Sequence, residues 1–423
     1  MIDIQLVSQA CLSKVKLGQS LKTVFPQELE RLASSGDQAV VKNTVYGALR
    51  YLGYLEFSLD SLVSKRPNGL VNLLLVGIYL IEYSRSANHA VVDAAVSSAK
   101  QMGFSKLAGL VNAVLRNYLR KRSEIKKSAC AHDVATLQHQ SWWIKKLRQD
   151  YPSQVDEIFS ASLKHPNLAL RVNTRATSLD QYLKLLTNQQ VSWKRFENII
   201  EADASVILTQ PVSVYQIPGF FDGLVSIQDV GAQTTATRLD LRPGQRVLDA
   251  CAAPGGKTCH ILELEDVCLT AADKDPVRLA RVEENLTRLG LSARTLMADI
   301  NKIENWWDGE YYDRILLDVP CSASGVVRRH PDVKWIRREK DIDSFVKQQR
   351  SLLNAAWKVL VKGGKLLYTT CSIFPEENEK QVRWFLKEQA DAKVDSKYAI
   401  HNGHLILPND SHDGFFHALL EKK

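Results

Sequence analysis

The sequence predicts an α/β protein in which an all-helical N-terminal region precedes a doubly wound, mostly parallel sheet. Three observations carry this reading. Residues 1 to about 130 place apolar side chains at helical spacing and show hardly any strand pattern. From about residue 231, the short apolar runs RVLDA, LTAAD, RTLMA, DRILLDV and KLLYTT alternate with amphipathic helical stretches. Strand followed by crossover helix followed by strand is what a parallel sheet requires. Finally, Gly, Asp and Cys stand at the ends of these runs, on the rim where open α/β sheets collect ligands.

The N-terminal elements come first. At 423 residues, with 45% apolar and 24% charged side chains, the chain can bury two or three domain cores, and wholesale disorder is excluded. Leu55, Leu59 and Leu62 recur at helical spacing, and a helix starting at Asn88 sets Val91, Val92, Ala95 and Val96 on one side. The run LVNLLLVGIYLI, Leu70 to Ile81, is shorter than the ~20 residues a spanning helix needs, so it predicts a buried helix and no membrane association. The start, MIDIQLVSQACLSKV, carries Asp3 and lacks the layout of a secretory signal, so a cytoplasmic location is expected. A cationic helix, VLRNYLRKRSEIKK, ends the region with Arg116, Arg120, Lys121, Arg122, Lys126 and Lys127. It reads equally well as a solvated face or as a surface for RNA. With 55 Lys and Arg against 47 Asp and Glu, the net charge of +8 favours a polyanionic partner, nucleic acid first.

The middle of the chain is mixed. LALRVNTRATSL reads as strand and turn, and SVYQIPGFFDGLVSIQDVGAQ as short strands broken by Gly and Pro. The expected organisation is a helical domain over 1–138, a small mixed α/β connecting subdomain over 139–230 and a catalytic domain over 231–423. Seven cysteines lie at irregular positions (11, 130, 251, 259, 268, 321 and 371) with no Cys-x-x-Cys pair. That pattern argues against a disulfide framework and against a metal site. Any special cysteine should then be a thiol used for chemistry.

The first strand end of the sheet is LDACAAPGGKTCHIL. Its small residues Ala250, Cys251, Ala252, Ala253, Pro254, Gly255 and Gly256, with Lys257, form a loop that lets backbone approach a ligand, ahead of a helix offering free N–H groups. The spacing is not that of a P-loop. The second run ends in Asp273, suited to accept from both hydroxyls of a ribose, and the third in Asp299, placed to meet an adenine edge. NAD and S-adenosylmethionine share this geometry, and three surface acids at strand ends are the plain alternative.

Two further strand ends carry Cys-Ser: RILLDVPCSASG with Cys321, and LLYTTCSIFPEENEKQ with Cys371. A thiolate that adds to C6 of a pyrimidine makes C5 nucleophilic enough to accept a methyl group. Such chemistry needs a reactive cysteine, an acid near N3 and a way to resolve the adduct. Asp318, three residues before Cys321, supplies an acid. Cys371 precedes a predicted helix opened by Pro375, followed by Glu376 and Glu377.

The segments DACAAPGGKT, DVPCSASGVVRRHPDVKW and YTTCSIFPEEN resemble the cofactor, Pro-Cys and Thr-Cys motifs of the RsmB/NOP class of RNA cytosine-5 methyltransferases. LRVNTRATS, IQDVGAQ and DGFFHALL extend the likeness to the bacterial 16S rRNA branch over nearly the whole chain, and the helical third is similar to NusB-type RNA-binding domains. The resemblance implies a Rossmann-like class I methyltransferase domain using S-adenosyl-L-methionine. It implies Cys371 as nucleophile, Cys321 as the thiol that assists release, and Asp318 facing cofactor and target base. Ala250 to Lys257, Asp273, Asp299 and Asp318 become the cofactor positions. In DNA cytosine methyltransferases the Pro-Cys cysteine attacks instead. The implied substrate is the cytosine numbered 967 of 16S rRNA, free or in early assembly, with a monomeric enzyme and no obligatory protein partner. The rival readings are a tRNA cytosine-5 methyltransferase, an RNA-binding assembly factor without catalysis, and an NAD oxidoreductase, which leaves the second Cys-Ser end unexplained. Arg328, Arg329 and His330, just beyond Cys321, read as candidates to grip phosphates or as a plain surface loop.

Overall fold

The computed structural model describes residues 2–196, 202–210, 212–395 and 403–423. It consists of two compact units, Met1–Lys164 with Val327–Glu339, and His165–Val326 with Lys340–Lys423. None of its described helices is long and apolar enough to cross a membrane.

The first unit is helical. Its centre is the helix Val71–Tyr83, in which every residue from Leu73 to Ile81 is buried. A helix with apolar side chains all round must be enclosed by others. It is surrounded by Ile2–Lys16, Ser35–Arg50, Leu52–Asp60, Asn88–Gln101 and Ala108–Ala129. Gly47 lets the helix Ser35–Arg50 come close: a Cβ there would fall 1.9 Å from the Tyr79 hydroxyl. On Ala108–Ala129 the cationic stripe is partly neutralised from inside. Arg122 Nε lies 2.6 Å from the buried Glu82 carboxylate, and Lys126 pairs with the same group.

The segment Val327–Glu339 belongs to this helical unit although its flanks belong to the other. Its residues satisfy the carbonyls that the helix Ser35–Arg50 leaves free at its C-terminus. Lys334 Nζ donates to Arg50 O at 3.1 Å, and Trp335 Nε1 to Leu49 O at 2.6 Å. In return Arg50 donates to Arg328 O at 2.8 Å, and Leu21 N to Asp332 Oδ2 at 3.0 Å. Gln140 Nε2 donates to the carbonyls of Lys334, Trp335 and Arg337. This corrects the expectation for Arg328: its side chain is buried, 2% exposed, and not presented to phosphates.

The second unit carries the strands, labelled in chain order. Leu168–Val172 (β1), Trp193–Arg195 (β2), Ser205–Leu208 (β3) and Val225–Ile227 (β4) form an antiparallel sheet in the order β2-β3-β1-β4. The main sheet contains Arg246–Ala250 (β5), Cys268–Asp273 (β6), Arg294–Met297 (β7), Tyr312–Asp318 (β8), Leu360–Thr370 (β9), Ala392–Val394 (β10), His404–Ile406 (β11) and Phe415–Lys422 (β12). Its order is β10-β12-β9-β8-β5-β6-β7, with β11 paired to β12. Strands β5 to β9 pair in parallel, as their alternation with helices predicts. The antiparallel strands β10, β11 and β12 were not foreseen.

Alternate residues of each central strand enter opposite layers. Leu316 and Leu367 pack with the helix Pro276–Leu289 through Leu279, Val282 and Leu286. Ile315, Leu317, Leu366 and Tyr368 pack with Asp341–Lys358 through Leu352, Leu353 and Ala356. Burial on both faces is why these strands read as continuous apolar runs. The chain leaves β5 toward β6 and β7, then returns to place β8 and β9 on its other side. That reversal puts the β5 loop at the switch point, where such sheets bind ligands.

Candidate active site

The β5 loop is shaped from below. Asp249, fully buried, accepts from Thr258 Oγ1 at 2.6 Å, and its Oδ1 has no hydrogen-bond partner among the described residues. Burial pushes its carboxyl up to about 7, against the pull of that hydroxyl. Gly255 has φ +95°, and a Cβ there would meet Val282 Cα at 3.0 Å. The glycine is therefore required by the turn and by the neighbouring helix. Gly256 leaves open space, with nothing nearer its Cβ position than 3.8 Å. Cys251 also has positive φ, 68°, a conformation costly for a side chain with Cβ.

The acids stand at the ends of neighbouring strands. Asp273 on β6 accepts from Ala253 N at 3.2 Å and Asp275 N at 3.0 Å, tying its strand end to the loop. Asp318 on β8 pairs with Lys257 at 2.5 Å. Burial opposes the Lys257 charge, but Asp318, then Cys371 and Asp249, hold its ammonium above the usual lysine range. Asp299 lies just past β7, and its Oδ1 accepts from Asn301 N and Nδ2 at 3.1 and 3.2 Å. Its side chain is not hydrogen-bonded to Asp273 or Asp318 among the described residues. The loop Ala250 to Lys257, flanked by Asp273 and Asp318, fits a ligand with a cationic centre and a ribose diol.

Strands β8 and β9 are parallel neighbours, so Cys321 and Cys371 leave the sheet side by side. Their Sγ atoms are 3.4 Å apart. Cys321 is buried while Cys371 is partly open. The Cys371 thiol, then burial, then the nearby Glu377 charge push the Cys321 thiol well above its ordinary range. Cys371 lies close enough to Lys257 to act on its charge. Elsewhere Cys11, Cys251 and Cys259 are pushed up to about 12, chiefly by burial, as inert thiols are.

The predicted helix after Cys371 is displaced. Pro375–Glu377 is a single 3-10 turn, and the helix proper is Glu379–Glu388. The turn sends Glu377 inward, beneath both cysteine loops. Ser322 N and Gln349 Nε2 donate to its Oε1 at 2.8 and 3.0 Å, and Ser322 Oγ and Ser372 Oγ to its Oε2 at 2.5 Å each. Gly325 N donates to Cys371 O at 2.9 Å, and Ile373 N to Ser324 Oγ at 2.9 Å, stitching the loops together.

Arg171 on β1 is a second group that sequence reasoning passed over. It forms a buried bidentate pair with Glu263 on the helix Gly256–Leu264, and donates to Gly256 O at 2.9 Å. The antiparallel sheet thereby holds the β5 loop. Glu377 looked like a helix-start acid and Arg171 like one strand cation among many. Their partners are remote in sequence, and only the repeated Ser after each Cys hinted at a shared acceptor.

Three family models match stretches of the chain. Residues 236–421 match the family model described as 16S rRNA methyltransferase RsmB/F. Residues 139–215 match the ferredoxin-like domain of RsmF/B-like methyltransferases, and residues 4–120 match the NusB family. The ribosomal RNA small subunit methyltransferase B of Vibrio cholerae is 40% identical over 415 residues, 97% of this chain and 95% of that protein. Its counterpart in Escherichia coli is 39% identical over 425 residues, 99% of this chain and 98% of its own. A methyltransferase homologue from Pyrococcus horikoshii superposes with a TM-score of 0.60 at 30% identity, over 69% of this chain and 97% of that one.

Proposed function

Because the chain belongs to the 16S rRNA methyltransferase RsmB/F family, we propose that it methylates C5 of a cytosine in 16S rRNA, the one numbered 967, through a cysteine adduct. Family membership makes it an S-adenosylmethionine-dependent rRNA methyltransferase, and the cytosine, the atom and the adduct are our reading. We place it in the cytoplasm, acting as a monomer on free or early-assembly RNA. Ala250 to Lys257, Asp273, Asp299 and Asp318 would hold the cofactor, which supplies an electrophilic methyl group on a sulfonium.

The chain's own groups do the rest. The Cys371 thiolate forms a bond to C6, and the electron pair displaced from the C5–C6 double bond makes C5 nucleophilic. Asp318 is assigned the acid beside N3, with Lys257 paired to it at 2.5 Å. Once C5 carries the methyl group, a base takes its proton, the C–H electron pair restores the C5–C6 double bond, and the Cys371 sulfur leaves as thiolate. Cys321, 3.4 Å from Cys371, is assigned the thiol that assists this release. Its burial and raised thiol range support the partly open Cys371 as the attacking group.

The observation that carries the reading is the pair of sulfurs at adjacent parallel strand ends, next to the Lys257–Asp318 pair. The test is to incubate the protein with tritiated cofactor and total RNA from cells lacking it, then map the label. Label on C5 of one 16S cytosine is expected. Label in tRNA alone overturns the substrate, and label off C5 overturns the chemistry.

A further inference from the structure

Cys321 and Cys371 are each followed by a serine, and both serine hydroxyls end on one carboxylate. Glu377 Oε2 accepts from Ser322 Oγ and Ser372 Oγ at 2.5 Å, while Oε1 takes Ser322 N and Gln349 Nε2. Ser322 and Ser372 also touch each other at 3.1 Å, and Ser324 Oγ lies 2.9 Å from Ser372 Oγ. The whole cluster is buried, with Glu377 at 0% exposure. A buried carboxylate is costly unless its acceptor sites are filled, so such a cluster tolerates little slack. Gln349 holds the carboxylate from the helix Asp341–Lys358 and is itself held by Gln381 at 3.0 Å. All of these groups are buried, so the cluster acts through the cysteines it holds.

We propose that Glu377 is the positioning residue of the thiol pair: by accepting from the serine after each cysteine, it fixes the two sulfurs at the separation that adduct release needs. The proposal rests on the two-thiol reading above only for its consequence, since the separation itself can be measured without RNA. Loss of the carboxylate frees the loop ends of β8 and β9 from their common anchor. Cys371 keeps its place at the end of β9 and can still attack, but Cys321 no longer stands reliably beside it. Release slows more than attack. A glutamine keeps the two acceptor contacts on one atom, and its amide can donate to the serine hydroxyls in place of the carboxylate, so Glu377→Gln should largely restore the pair.

The probe for the separation is phenylarsine oxide, which binds two neighbouring thiols by forming two S–As bonds with loss of one water. In full-length protein carrying Cys130→Ser and Cys268→Ser, which removes the exposed thiols, peptide mapping should find the arsenical bridging Cys321 and Cys371. Glu377→Ala should weaken that binding at least tenfold, and Glu377→Gln by no more than about threefold. With RNA and cofactor, Glu377→Ala should lower kcat at least tenfold with KM near its parent value, and accumulate a protein–RNA species that survives denaturing gels. Arsenical binding as tight in Glu377→Ala as in the parent overturns the proposal. Should Glu377→Ala fail to fold, Ser372→Ala carries the test: about fivefold weaker arsenical binding is expected, and unchanged binding overturns it. If the parent itself methylates no cytosine, the reaction reading falls while the arsenical comparison still decides the role of Glu377.

Discussion

At the scale of single residues, the site holds groups whose titration is pushed upward by burial or by their neighbours. Asp249 has a folded pKa of about 7 against an ordinary 3.8, because its carboxyl is buried and only one oxygen is bonded. A raised folded value means the native state holds the proton longer. Its contribution to stability is full below about pH 4 and is lost as pH rises through 7. Asp249→Asn should therefore leave stability little changed near pH 4. Its stability should rise increasingly above the parent's from pH 5 to about 7.5 and then level off, with a gain on the order of a few kcal/mol at pH 8.5. Thermal melts without cofactor check this, and a constant difference across that range would remove Asp249 as the titrating group. The cysteines are separated by order of bond making. Cys371→Ala should give neither methylated RNA nor a covalent complex, while Cys321→Ala should trap one on denaturing gels. The reverse pattern would assign attack to Cys321. That cysteines end two strands is written in the sequence; that their sulfurs are 3.4 Å apart follows from β8 and β9 being neighbours, which no local pattern states.

At the scale of elements, close backbone contact holds the two cysteine loops. A Cβ on Gly325 would fall 2.4 Å from Gly414 O, a backbone atom that cannot swing away. Gly325→Ala should cost about 1–3 kcal/mol and separate Gly325 N from Cys371 O. Methyl transfer should fall sharply while calorimetry shows cofactor binding retained. Gly109→Ala, with open space around its Cβ, should be neutral or stabilising by about 0.5–1 kcal/mol. On the helix Ala108–Ala129, Arg122 and Lys126 are engaged by Glu82, which leaves Arg116, Arg120, Lys121 and Lys127 exposed. Reversing Arg120, Lys121 and Lys127 to Glu should weaken RNA binding and flatten its dependence on log salt by about 2. An unchanged slope would make this helix a solvated face. The helix itself was legible from its period; which of its cations are engaged by Glu82 was not, because Glu82 comes from another helix.

At the scale of the whole molecule, the helical unit is discontinuous. Its helix Ser35–Arg50 is capped by Lys334 and Trp335, and Gln140 serves three carbonyls of the same late segment. A fragment ending at Lys164 lacks those partners and leaves buried groups unmet, at about 1–3 kcal/mol each. It should melt below the same unit in the full chain, with faster amide exchange through Ala48 to Arg50; equal protection would show the late segment to be dispensable. By itself the sequence determined the helical N-terminal region, the parallel strands β5 to β9, and which Asp and Cys residues stand at or just past their ends. Period and strand-end position are local properties, repeated every two to four residues. Only the tertiary structure decided that Glu377 gathers both serines, that Arg171 braces the β5 loop, and that Arg328 is buried in the helical unit. Each depends on partners tens to hundreds of residues away, and a buried polar group is satisfied by whatever the fold brings beside it, which no short stretch of sequence specifies.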